Sequence, residues 1–189
     1  MSNSSWEEAI ERHYSDSWPG AFERERWERG PVHELPNGFG VLVFNRTPRV
    51  VAYATCGMSQ RADEKPLELH LMSAPTSWGP RPELVELLTV IAHYHRTGSR
   101  LDLGHTVNFG RPWLPDSACT HGLLSLPYLD GPNLEWLESP RIRFLWLVPI
   151  TDDELAFKKR YGLDALEERF EAAQFDFLDP LRPSVVGRQ

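Results

Sequence analysis

Arg141-Ile142-Arg143-Phe144-Leu145-Trp146-Leu147-Val148-Pro149-Ile150 leads straight into Thr151-Asp152-Asp153-Glu154, and the two read together decide the fold. The first run is nearly continuous in apolar residues, which suits a central strand covered on both faces. The second has capping-box spacing, in which a hydroxyl and a carboxylate satisfy helix-end N–H groups reciprocally. It predicts a helix through Lys159 that stops at Gly162. Leu163-Asp164-Ala165-Leu166 opens another, with Leu166, Phe170 and Ala173 on one stripe. Pro180 and Pro183 exclude regular helix beyond it. Nothing in this C-terminal third has the pattern of an active site, which points towards binding rather than catalysis.

The same strand-then-helix logic extends upstream. Leu67 to Met72 alternates apolar and polar, the period of a strand with one wet face. Phe39 to Phe44, led by Asn37-Gly38, and Arg49 to Cys56 read as two more strands. Ser59 to Pro66 is a polar loop. Glu83 to Arg96 is the strongest helix: Pro82 suits its first turn, and Gly98 stands where a left-handed terminator is expected. Asp102 to Phe109 and His121 to Leu129 are expected as strands. At the front, Ser5 and Glu8 form a second capping box, and that helix sets Trp6, Ile10 and His13 or Tyr14 on one face. Ala21 to Arg29 is expected to add a short helix. Residues 1–34 form an N-terminal helical segment of the same domain as residues 35–187, with no linker or repeat between them.

Composition narrows the function classes. The chain has 189 residues, 41% of them hydrophobic, which suits one sizeable core. Its formal net charge is −7. A non-specific nucleic-acid binder needs a basic surface to release counterions from phosphates, so that class is disfavoured. No apolar run approaches a membrane span and no secretion signal is evident, so a cytoplasmic protein without membrane contact is expected. Cys56 and Cys119 read as free thiols in a reducing compartment.

The chemistry-bearing residues are few. Cys119, His121 and His105, with Asp102, could meet a metal or serve a hydrolase if the fold brought them together. The spacing is weak: C-x-x-C and H-E-x-x-H are absent. A catalytic cysteine would also need a base in reach. His105 and His121 read more simply as hydrogen-bonding residues near the sheet. No cofactor or metal site is therefore expected. Asp152, Asp153, Glu154, Glu167, Glu168 and Glu171 suit capping, helix dipole and solvation, or an acidic face for a basic partner. Trp78 and Trp113 lie in Pro-rich loops, where Trp either anchors a partner or plugs the core.

The order of these landmarks resembles the bacterial suppressor-of-fused family. The matching pieces are Tyr53-Ala54-Thr55-Cys56-Gly57-Met58-Ser59, Leu67-Glu68-Leu69, the helix from Glu83 to Gly98, and Gly104-His105. Pro149 to Glu154, Asp179-Pro180 and Pro183 to Val186 complete the set, over roughly residues 35 to 187. The resemblance implies an α+β domain with a mixed or antiparallel sheet flanked by helices, and a protein partner, with no cofactor and no enzymatic activity. In the animal member the domain grips a transcription-factor peptide as an added strand. Bacterial members are often considered immunity proteins that neutralise a toxin by binding it. On this pattern Tyr53 is a tyrosine of the peptide-binding strand. The expected function is thus a non-enzymatic protein-binding domain contacting its partner through Tyr53, Trp78 and Trp113, with an antitoxin as its concrete form. The rivals are the hydrolase around residues 102–121 and a scaffold that self-associates through a sheet edge.

Overall fold

Side-chain alternation along the strands sorts the core into two clusters, one on each face of a single sheet. The structure is a computed structural model, and it describes residues 5–30 and 32–187. In chain order the strands are β1 (Phe22–Glu25), β2 (Gly40–Thr47), β3 (Val50–Cys56), β4 (Leu67–Ser73), β5 (Thr106–Asn108), β6 (Cys119–Ser125), β7 (Trp136–Glu138) and β8 (Arg141–Thr151). The helices are α1 (Trp6–Ser17), α2 (Pro82–Thr97), α3 (Pro132–Glu135), α4 (Asp152–Tyr161) and α5 (Leu163–Ala173).

The strand order is β1-β2-β3-β4-β8-β6-β5, with β7 also pairing β8. Every pairing is antiparallel except β4 with β8, where Leu67 to His70 run parallel to Arg143 to Trp146. The sheet is therefore mixed. Val41, Val43, Tyr53, Leu69, Leu71, Leu145 and Leu147 face α2 and its Leu84, Leu88 and Ile91. Their alternates Leu42, Phe44, Ala52, Ala54, Phe144, Trp146 and Val148 pack with Ile10 and Tyr14 of α1 and with Leu166 and Phe170 of α5. Along β3, β4 and most of β2 and β8, successive positions bury side chains on one layer of helices or the other, which is the period-two rule applied to both faces. The long apolar β8 lies centrally, as its composition predicts.

Several sequence expectations are corrected. Ala21 to Arg29 does not form a helix; Phe22–Glu25 pairs with Val41 to Phe44 as an edge strand. The strand expected over Asp102 to Phe109 shrinks to Thr106–Asn108, and the one expected at His121 to Leu129 starts at Cys119 and ends at Ser125. Gly98 is not left-handed, with φ −109. Its need for glycine is close approach: a Cβ there would stand 2.9 Å from the Tyr94 carbonyl and 3.0 Å from the Tyr94 ring.

The largest correction concerns β4, which has no wet face. All seven residues are buried, including Glu68 and His70. The helix α1 covers the face read as polar: Tyr14 and Trp18 stand edge-on to His70, and the Tyr14 hydroxyl donates to the Leu69 carbonyl at 3.3 Å. Glu68 survives burial because donors surround it. The backbone N–H groups of Gly57, Met58 and Ser59 donate to its carboxylate at 3.2, 3.3 and 2.9 Å, and the hydroxyls of Thr55 and Ser59 at 2.6 and 2.7 Å. Burial pushes this carboxyl up from its ordinary range, against the pull of the Thr55 and Ser59 hydroxyls and the Ser59 and Met58 amides. Gly57, at φ +90, gives the loop the left-handed bend that turns three successive amides inward. The Trp6 indole donates to the Ser59 hydroxyl at 3.0 Å, which ties α1 to the same knot.

Candidate functional site

The C-terminal landmark segment is built around a second buried carboxylate. Both predicted capping boxes form, Ser5 with Glu8 and Thr151 with Glu154. Glu154 was expected on a solvated helix start, but it is fully buried. Arg182 donates to its two oxygens at 2.7 and 2.8 Å and to the Pro149 carbonyl at 2.9 Å, and the Val185 N–H adds a bond at 3.0 Å. The tail from Asp179 to Val186 is thereby pinned across the end of β8. Its role is closure, and it leaves α5 and the following aromatics standing over the sheet.

That arrangement opens a cleft of about 810 Å³ between α5, the end of β6 and the outer face of β8. Trp146 and Val148 of β8 supply the sheet side. Phe175 and Phe177 reach in from the segment after α5, and Gln174 turns that segment with φ 46. The aromatic rings are mutually ordered. Phe177 stands edge-on to Trp146 with centroids 5.4 Å apart, and Phe175 stacks on Phe170 at 4.4 Å. Tyr128 and Leu129, both exposed, form an apolar lip. The wall opposite is acidic: Asp164, Glu167, Glu168 and Glu171 of α5. Glu167 joins the two sides, since the Ser125 hydroxyl donates to it at 2.5 Å and the Tyr128 hydroxyl at 2.9 Å. Desolvation, and then this carboxylate, push the Tyr128 phenol up to about 12, so it stays a donor at neutral pH.

The residues singled out in the sequence fall in three separate places. Tyr53 is buried in β3 under α2, and its hydroxyl accepts from the Arg81 N–H at 2.8 Å. It thus fixes the end of the loop that carries Trp78. Trp78 itself is 94% exposed, on a turn closed by the Thr76 hydroxyl donating to the Gly79 carbonyl at 2.7 Å. Trp113 is only 2% exposed; its indole donates to the Ser117 hydroxyl at 3.0 Å. In this conformation the Trp113 ring fills the α2-side core and offers no surface.

The candidates around residues 102–121 do not converge. Asp102 is held by Lys65 and Arg143, at 3.3 and 3.2 Å. His121 lies 3.1 Å from Asp152 and 3.0 Å from the Thr120 hydroxyl. Cys119 is buried opposite Thr151, and burial raises its thiol above the ordinary range, away from the thiolate a nucleophile needs. His105 meets β6 through its backbone, where the Leu124 N–H donates to its carbonyl at 2.9 Å. Among the described residues no group of three His, Cys, Asp or Glu side chains could hold a metal ion, and no helix is long and apolar enough to cross a membrane.

The sequence reading missed the aromatic half of the cleft. Trp146, Phe170, Phe175 and Phe177 meet only in the folded chain. The signal available was local: two phenylalanines flanking Asp176 just after a helix end, where a solvated tail would carry none.

Comparison with known proteins agrees with this architecture. The family model of the suppressor of fused protein (SUFU) matches residues 36–183. A suppressor-of-fused homologue from Neisseria gonorrhoeae FA 1090 superposes with a TM-score of 0.84 at 30% identity, over 97% of this chain and 98% of that one. A chain of the Sufu–Fu complex gives 0.70 at 16% identity, over 98% and 92%. Drosophila Suppressor of Fused gives 0.68 at 17%, over 93% of this chain and 50% of its own length. The last two show likeness of fold. Among curated proteins, none matches the chain.

Proposed function

Because the chain belongs to the suppressor-of-fused family, we propose that it is a non-enzymatic protein-binding domain, and that its concrete role is that of an immunity protein occluding a partner. The observation that carries the reading is the aromatic cleft beside α5. It is open, ordered and lipped by exposed apolar side chains, which is the form of a protein contact site. The net charge of −7 supports capture of a basic partner by electrostatic steering. The exposed indole of Trp78, set on a loop anchored by Tyr53, supplies a second contact. The solved complex named for Sufu and Fu offers a precedent within the fold for a protein partner. Two free cysteines, both buried, fit a protein working in the reducing cytoplasm.

The test is capture with the purified chain as bait in lysate of its own source, followed by mass spectrometry. One chain retained at equimolar amount, and a toxic activity of that chain suppressed on mixing, is the expected result. Absence of any stoichiometric partner removes the protein-binding reading. A partner whose own activity is untouched by binding removes the immunity role alone.

A further inference from the structure

We infer that the cleft beside α5 receives a segment of a partner polypeptide that sets a lysine or arginine next to an apolar side chain. The inference rests on the protein-binding reading and gives that site an occupant. Asp164, Glu167, Glu168 and Glu171 follow at i, i+3, i+4 and i+7, so one stripe of α5 brings four carboxylates to the cleft wall. Among the described residues no lysine or arginine lines the cleft. The cation behind it, Arg182, lies 5.1 Å from the Phe175 ring centroid, and its charge is committed to Glu154. Arg169 of α5 is turned to Phe157 instead. Glu167 accepts from two neutral hydroxyls, which orient it.

A stripe of acids on a helix is by itself a solvated face. Here a second observation accompanies it. Trp146 is 5% exposed and its indole N–H has no acceptor among the described residues, yet its ring lines the cleft. An orphaned buried donor beside unfilled aromatic surface marks a site short of a partner, and a bound polypeptide segment brings backbone carbonyls, the acceptors that this donor lacks. The combination selects among occupants. A cation over aromatic faces with carboxylates behind it is attracted by both. Its apolar neighbour fills the space over Trp146 and Phe177. An acidic segment would meet four like charges, and a purely apolar one would strip water from carboxylates left unpaired.

The experiment is selection from a displayed library of random peptides about 12 residues long, followed by calorimetry on synthetic copies of the enriched sequences. The expected enrichment is Lys or Arg within two positions of an aromatic or aliphatic residue. The double variant Glu168→Lys/Glu171→Lys changes only exposed side chains, so its thermal midpoint should match the wild type. It should weaken these peptides at least about tenfold, and added salt should weaken wild-type binding in the same direction. Phe177→Ala should weaken them as well. No enrichment, enrichment of acidic or neutral sequences, or binding indifferent to both variants overturns the inference. So does a doubling of mass in solution that is lost in Phe177→Ala, since the occupant is then a second copy. A natural partner captured equally by wild type and both variants overturns the inference while leaving the protein-binding reading intact.

Discussion

Arg182 closes on Glu154 with two parallel N–H to oxygen bonds, 2.7 and 2.8 Å long, in a site where the two side chains are 5% and 0% exposed. The pair is the fastening of the C-terminal tail. A buried ion pair is a poor source of net stability, because desolvation offsets the attraction, but breaking one is costly. Arg182→Ala should therefore lose about 3–5 kcal/mol in urea unfolding. A double variant, Arg182→Met with Glu154→Leu, should recover most of that loss by removing both charges. A double variant no better than the single one would show that the pair's hydrogen bonds to Pro149 and Val185 matter more than its charge.

Glu68 supports the loop after β3 in the same manner, with three amides and two hydroxyls converging on it. Glu68→Ala strands the three amides and the Ser59 hydroxyl in a dry site, while the Thr55 hydroxyl keeps the Leu69 carbonyl at 3.3 Å. The expected loss exceeds about 3 kcal/mol, since each orphaned buried donor costs on the order of 1–3 kcal/mol. Amide exchange should speed up first at Gly57, Met58 and Ser59.

Acid should unfold the protein through its histidines. Burial, and then Arg46, lower His70 from 6.5 to about 3, and burial lowers His95 to about 4. Among the described residues both nitrogens of His70 and Nε2 of His95 lack a partner, while Nδ1 of His95 accepts from the Leu101 N–H at 2.9 Å. A depressed pKa means that the folded state prefers the neutral ring. Stability from both rings is present above about pH 6.5 and drains as pH falls towards 4 and then 3, at up to about 1.4 kcal/mol per pH unit for each. His70→Leu should halve that slope and leave stability at pH 7 unchanged or slightly raised. An unchanged slope would assign the acid sensitivity to other groups.

Trp78 separates binding from stability. Its side chain is almost wholly in water, so Trp78→Ala should shift unfolding by less than about 0.5 kcal/mol. Affinity for the captured partner should fall by at least about 1 kcal/mol if the indole is a contact. Trp113→Ala should do the reverse, losing about 3–5 kcal/mol of stability through the cavity it leaves.

What the sequence made legible was local in cause. Thr151 with Glu154 and Ser5 with Glu8 announce helix starts through groups three residues apart, and both boxes form. The apolar run of β8 announces burial on both sides because no alternative would hide it. Where docking decides, the reading faltered. Alternation in Leu67 to Met72 cannot say whether its polar side meets water or a helix, and Tyr14 of α1 with Trp18 just past its end settled that for His70. Phe22 to Glu25 carries helix-tolerant residues, but the open edge of β2 recruits it as a strand. Of the cleft, the acids of α5 were readable by spacing, while Trp146 and Phe177 became neighbours only when the tail folded back.

The parallel pairing of β4 with β8 sets the order of events when the chain folds. Strands β1 to β4 join by antiparallel pairing of successive segments and can assemble early. Their outer member, β4, then presents an unpaired edge and a row of apolar side chains until β8 arrives from far along the chain. Bringing those two together costs loop entropy before any contact repays it, so this junction is expected to be the slow step, which stopped-flow refolding of β4 and β8 variants checks. Until it closes, β4 is a free template for another chain's strand, and the half-folded protein is most vulnerable to aggregation there.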